Sequence, residues 1–157
     1  MRIGAGLEAV TQASDPVVGW KIWRVEHGEE RTRLRSVLYG SLWPPERPAV
    51  ADCKKLLRTR HEAPDPLCDC GIHAAKTLAA WRHYLTVGGD RVFGRVLLCG
   101  DRLEGTLGWR AATAYPLELY VPPELADAEA VAQGLSIYGV PVELAGAPLR
   151  RREVVPA

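Results

Sequence analysis

"GIHAAKTLAAWRHYL" (71–85) is the stretch on which the fold class turns. Ala74, Leu78, Trp81 and Leu85 recur at helical spacing, while Lys76, Arg82 and His83 take other faces, so the pattern predicts an amphipathic helix. The paired glycines of "TVGGD" (86–90) would end it.

The flanking segments read mainly as strands. In "VVGWKIWRV" (17–25), Val18, Trp20 and Ile22 share one face and Val17, Trp23 and Val25 the other. A strand apolar on both faces belongs in a sheet that is covered on each side. "EHGEE" (26–30) is a turn signal, and "TRLRSVLY" (32–39) is the expected hairpin partner. Trp43 stands before two prolines in "GSLWPPERP" (40–48), which bias it to an extended conformation. "AVADCKKLLRTR" (49–60) reads two ways. Val50, Cys53, Leu56 and Leu57 at helical spacing favour a helix, yet "AVADC" also suits a short strand entering the next loop.

Downstream, "RVFGRVLLCGDRLEGTLGWRAATAY" (91–115) predicts two strands joined by a polar turn near Gly100-Asp101-Arg102. Gly94, Gly105 and Gly108 within it suggest bulges or close backbone approach. "PLELYVPPELADAEAVAQGLSIYGVPVEL" (116–144) gives a strand, then a helix striped by Leu125, Ala128, Val131 and Leu135, then a last short strand. The sum is an α+β class: a mostly antiparallel sheet with two or three helices in one domain over 17–146. A flexible leader (1–16) and a flexible tail (147–157) are expected at either end.

Between the ambiguous segment 49–60 and the predicted helix lies "HEAPDPLCDCG" (61–71). With Cys53 it gathers Cys53, His61, Cys68 and Cys70 into a short span, four side chains of the kind that hold zinc in a tetrahedron. Pro64 and Pro66 restrict the unfolded loop and lower the entropic cost of assembling them. Cys-x-Cys is tighter than the usual Cys-x2–4-Cys spacing, and His73 is an alternative fourth ligand. Three readings stand side by side: a structural zinc site, plain loop packing with an exposed His61, or redox or catalytic thiols at Cys68 or Cys70 with His61. A helix starting at Gly71 would lower the pKa of Cys70 through its dipole. Cys99, in an apolar strand, reads as a core cysteine. The zinc-deaminase pattern is excluded, since His and Glu are adjacent and the cysteines are one residue apart. Asp65 breaks any H-E-x-x-H.

The order Trp23, Trp43, Cys53, "HEAPDPLCDCGIHA" and "GRVLLCGDRLEGTLGWRAATAYPLEL" resembles a group of small actinobacterial and phage-type proteins of unknown function. Those proteins carry a His-x-Ala-Pro…Cys-x-Cys-Gly motif and a later Gly-Trp/Phe-Arg-Ala, and the likeness spans about residues 18–121. The group implies no activity. His73 stands where the group has tyrosine.

Composition narrows the partners. At 157 residues, 47% apolar and 25% charged, with a formal charge of +1, the chain has no global field to draw nucleic acid. Local basic clusters remain at Arg31, Arg33 and Arg35, at Lys54, Lys55, Arg58 and Arg60, and at 150–152. With Trp43, Trp109 and Arg110 they suggest a stacking-plus-phosphate surface for nucleic acid, or a face for a protein. The bland reading is a solvated face with core tryptophans, and an edge-strand Arg110. Phosphate-loop and serine-hydrolase motifs are absent. No run is long enough to span a bilayer as a helix, and the N-terminus lacks the apolar core of a secretory signal. The expectation is a cytoplasmic binding or adaptor domain, leaning away from an enzyme, with a structural zinc ion. The alternative is an enzyme using the Cys/His thiolate.

Overall fold

A computed structural model describes residues 10–11, 15–55, 60–83 and 89–145. Strands dominate it: β1 (Val10–Thr11), β2 (Val17–His27), β3 (Thr32–Ser36), β4 (Ala49–Val50), β5 (Ile72–Ala75), β6 (Arg91–Glu104), β7 (Gly108–Val121) and β8 (Val142–Leu144). One α-helix, α1 (Ala128–Leu135), lies among the described residues, with 3-10 turns at Leu78–Trp81 and Ser136–Tyr138.

β2 runs antiparallel to β6 from Val17↔Leu98 to Arg24↔Arg91, and β6 forms a long hairpin with β7. β5 bridges the remaining gap, pairing with β7 from Ile72↔Ala111 to Ala75↔Gly108 and with β2 at Trp20↔Ala75. Four antiparallel strands, β2, β6, β7 and β5, therefore close a ring. β3 forms the expected hairpin with the second half of β2, β1 pairs with β6, and β8 lies parallel to the end of β7. Where β6 crosses β7, a Cβ on Gly94 would fall 2.0 Å from the carbonyl oxygen of Glu118, so only glycine fits.

The bifacial pattern of β2 has its physical counterpart in two apolar clusters. Trp23 and Val25 pack with Leu34, Trp43, Leu119 and the α1 residues Val131 and Leu135. Ile22, on the opposite face, packs with Leu78, Trp81 and Phe93, flanked by Trp20 and Tyr120. The Trp23 indole N–H is buried without a partner, whereas the polar tips of Trp43 and Tyr138 are satisfied. The Trp43 indole N–H donates to Ser36 Oγ (2.8 Å), and the Tyr138 hydroxyl donates to the Trp43 carbonyl (2.8 Å).

Four expectations need correction. The helix over 71–85 is instead β5 followed by a 3-10 turn that runs into helical Arg82 and His83, with Leu85 outside the described residues. Ile72, His73, Ala74 and Ala75 are all buried, so no two-residue alternation shows, and pairing to both β7 and β2 satisfies the backbone. The segment 49–60 begins as β4 and continues irregularly to 55, while Leu56, Leu57 and Arg58 lie outside the described residues. The α+β description holds in its sheet, not in its two or three helices. Finally, the β6–β7 turn falls after Glu104, and Gly100-Asp101-Arg102 is an irregularity within β6. The helix striped by Val131 and Leu135 and the short strand after Gly139 stand where expected. Val10–Thr11 is paired strand, while the rest of 1–14 and the tail from 146 lie outside the described residues.

Candidate metal centre

β4 and β5 lie end to end along one edge of β7. Ala49 and Val50 pair with Ala114 and Thr113, the Ala51 N–H donates to the Ala112 carbonyl (2.7 Å), and Ile72 pairs with Ala111. The chain thus leaves β7 at Ala112 and returns at Ala111, and residues 52–71 form one long excursion between neighbouring rungs. Its described residues, 52–55 and 60–71, form no helix or strand, and a long loop of that kind has few hydrogen bonds of its own and needs another source of order.

Two devices supply it. The first is the cluster of Cys53, His61, Cys68 and Cys70, whose ligand atoms all lie within 4.8 Å of one another. Cys53 Sγ and Cys68 Sγ are 3.7 Å apart, and Cys70 Sγ lies 3.4 Å from His61 Nε2. A disulfide would require about 2.05 Å, and all four cysteines are free thiols. Ligands about 2.3 Å (sulfur) and 2.05 Å (nitrogen) from a tetrahedral ion would be separated by roughly 3.8 Å (S–S) and 3.6 Å (S–N). Both observed separations fit the edges of such a tetrahedron. Three sulfurs and one imidazole nitrogen are also a donor set that zinc accepts. The cluster can therefore hold a metal ion.

The second device is Arg110. Its side chain, 5% exposed, reaches from β7 under the loop. Nη1 donates to the carbonyl oxygens of Cys70 (2.8 Å), Asp65 (3.3 Å) and Cys68. Without it the buried Cys68 and Cys70 carbonyls would lose this donor, which costs about 1–3 kcal/mol each. Asp65 adds a local turn, its carboxylate accepting from the Leu67 N–H (2.7 Å) while its carbonyl accepts from the Cys68 N–H (3.1 Å). At Gly71 the backbone takes φ +114, and a Cβ would stand 3.1 Å from both Pro64 Cβ and Arg110 Cβ. On the outside, Lys55 pairs with Asp69 at 2.5 Å and holds its carboxyl down to about 2.

The electrostatics match a ligand cluster. Burial pushes the Cys68 thiol up, but the Cys70 backbone N–H and hydrogen bonds with Cys53, Cys70 and His61 outweigh it and bring it down to about 7. Burial raises Cys70, and a neighbouring Cys68 thiolate raises it further. One negative charge thus suppresses the next until a cation offsets them. No helix begins at Gly71, so the dipole effect expected at Cys70 does not arise.

The other expected site residues are dispersed. His73, the alternative ligand, sits on β5 with Nδ1 3.1 Å from the Gly71 carbonyl, and it is not part of the cluster. Burial, with Lys21 and Arg110 nearby, holds His73 down to about 3. Trp43 is 1% exposed and stacks edge-on with Trp23, so it cannot offer a face to a base or partner. Arg110 is likewise a buried clamp rather than a surface contact. Trp109 is half-buried beneath the Lys76 ammonium (5.5 Å). Lys54 and Arg60 are exposed, Lys55 is in its ion pair, and Arg58 lies outside the described residues. Cys99 is half-buried on β6, away from the cluster.

No protein-family model, curated protein or solved structure matches this chain. Among the described residues no helix is long and apolar enough to cross a membrane.

Proposed function

We propose that the chain is a non-catalytic recognition domain whose long β4–β5 loop is fixed by a structural zinc ion on Cys53, His61, Cys68 and Cys70. The carrying observation is the pair of separations, 3.7 and 3.4 Å, which match tetrahedral edges. Four protein donors fill a tetrahedral ion and leave no position for water or substrate, as in structural rather than catalytic sites. The site staples a segment that leaves and re-enters the sheet at adjacent rungs, where a cross-link fixes the most chain.

A protein partner fits the surface around this loop better than nucleic acid does. Tyr39, Leu42 and Val50 are exposed apolar side chains lining one cavity, and Leu67, 84% exposed, caps the loop. Exposed apolar groups gathered in one place mark protein interfaces. The nucleic-acid alternative keeps Lys54 and Arg60 but has lost Trp43 and Arg110 to the interior.

A second reading rests on the Cys70–His61 contact, which has the form of a thiol beside its base. Burial of Cys68 and Cys70 opposes it, because a nucleophile must meet its substrate. Elemental analysis and native mass spectrometry before and after chelation decide between them. One zinc per chain, with lost thermal stability once it is removed, is the expected result. Metal-free protein of unchanged stability would refute the structural role.

A further inference from the structure

Beside the loop, and separate from the cluster, lies a cavity of about 200 Å³ lined by Lys21, Ser36, Trp43, Arg47, Ile72 and His73 among others. Lys21 is its unusual feature. The side chain is 5% exposed, and its ammonium donates to the His73 carbonyl at 2.8 Å. The Trp43 and Trp81 rings lie 5.7 and 5.9 Å away and give it partial π stabilisation. An ammonium has three N–H donors, and a buried one without a counter-charge is costly. Among the described residues no carboxylate forms an ion pair with it, and burial alone lowers it to about 7. The cluster does not serve as its counter-ion, since a zinc ion with three thiolates carries one net negative charge and Arg110 already sits against that loop. Arg47 and Asp52, both exposed, also line the cavity, and Arg47 forms no ion pair among the described residues.

We propose that this cavity binds a carboxylate carried on a small apolar body, its oxygens accepting from the Lys21 ammonium. The ligand's charge supplies what the protein leaves out at Lys21. Its body lies against Leu42, Pro44 and Val50, the less buried apolar side chains that line the cavity. The volume admits a group the size of a benzoate or a phenylalanine side chain with its carboxylate. A free acid and the C-terminus of a peptide present the same chemistry. The proposal does not depend on the metal, although both sites share the chain around Gly71.

The test uses the protein as purified, with its zinc content measured on the same sample, so loss of metal and loss of carboxylate binding are separate observations. Benzoate and its neutral analogue benzamide are titrated while the NMR signals of Trp43, Ile72 and His73 are followed. A tripeptide ending in phenylalanine is added as the free acid and as the amide. Benzoate should bind at least about tenfold more tightly than benzamide, and Lys21→Met should remove that preference. Binding of the free-acid peptide over its amide assigns the site to a chain terminus; binding of benzoate alone assigns it to a free acid. Equal binding of benzoate and benzamide overturns the proposal, as does a preference that survives Lys21→Met. Absence of any perturbation at millimolar benzoate overturns it too, as does a borohydride-trapped benzaldehyde adduct on Lys21 without benzoate binding. Should Lys21→Met fail to fold, the comparison of benzoate with benzamide on the unmodified protein decides alone.

Discussion

The guanidinium of Arg110, on β7, donates to the carbonyl oxygen of Cys70, a member of the Cys/His cluster, at 2.8 Å. The same Nη1 reaches the carbonyls of Cys68 and Asp65, so one buried cation holds the backbone on which two of the four ligands hang. Removing it takes the donor from the buried Cys68 and Cys70 carbonyls at once. Arg110→Ala should cost about 3 kcal/mol, or roughly 10 °C in Tm for a domain of this size. Zinc should also leave faster to a chelator. Arg110→Lys should fall between the two, because a lysine supplies a point charge but not the planar fork. Thermal melts and chelator-release rates check this, and an Arg110→Ala protein with native release kinetics would contradict the clamp.

The four ligands should behave as a unit. Cys53→Ser, Cys68→Ser, Cys70→Ser and His61→Ala should each lower zinc stoichiometry and destabilise the fold, since metal-binding free energy is folding free energy here. Cys99→Ser, on β6 and outside the cluster, should keep full zinc and lose less than about 1 kcal/mol. The comparison requires only metal analysis and denaturant unfolding on five variants.

How far the sequence disclosed this arrangement depends on the range of the interaction. The Cys/His cluster was legible because Cys and His are chemically distinctive and three of them fall within 61–70. The β2 core pattern was legible because its two apolar faces carry large side chains, and both turned out to be covered. β5 was not. Its Ala74 and Ala75 are strong helix formers, and their strand conformation is imposed by β7 and β2, far away in the chain. Trp43 and Arg110 were misplaced for a related reason. A tryptophan beside prolines and an arginine on a strand look exposed until the partners that bury them, Tyr138 and the Cys68–Cys70 carbonyls, are known.

Lys21 predicts a particular pH dependence. Its folded pKa of about 7 lies below the unfolded value near 10.5. Between these values the unfolded chain binds a proton that the folded chain lacks, so stability rises with pH across the window and the gain is lost as pH falls to 7. The slope is of the order of 1 kcal/mol per pH unit. Buried Tyr138, pushed up to about 12 from 10.0, acts in the opposite sense only above about pH 10. Urea unfolding at pH 7, 8.5 and 9.5 should therefore show the wild type gaining stability relative to Lys21→Met, whose difference cancels the other groups. Parallel curves for the two proteins would mean that Lys21 is solvated.

The return of the loop to the sheet hinges on Gly71. With φ +114 it occupies a region that side-chain-bearing residues rarely adopt, and a Cβ would press on Pro64 and Arg110 at 3.1 Å. Gly71→Ala must therefore either strain the backbone, at about 1–3 kcal/mol, or push Arg110 off the carbonyls it holds. The two outcomes are separable. Pure strain would lower Tm while zinc release stays slow, whereas displacement of Arg110 would reproduce the fast release expected of Arg110→Ala. Because Gly71 directly follows Cys70 and packs on Arg110 itself, displacement is the expected result, and Gly71→Ala combined with Arg110→Ala should release zinc no faster than Arg110→Ala alone.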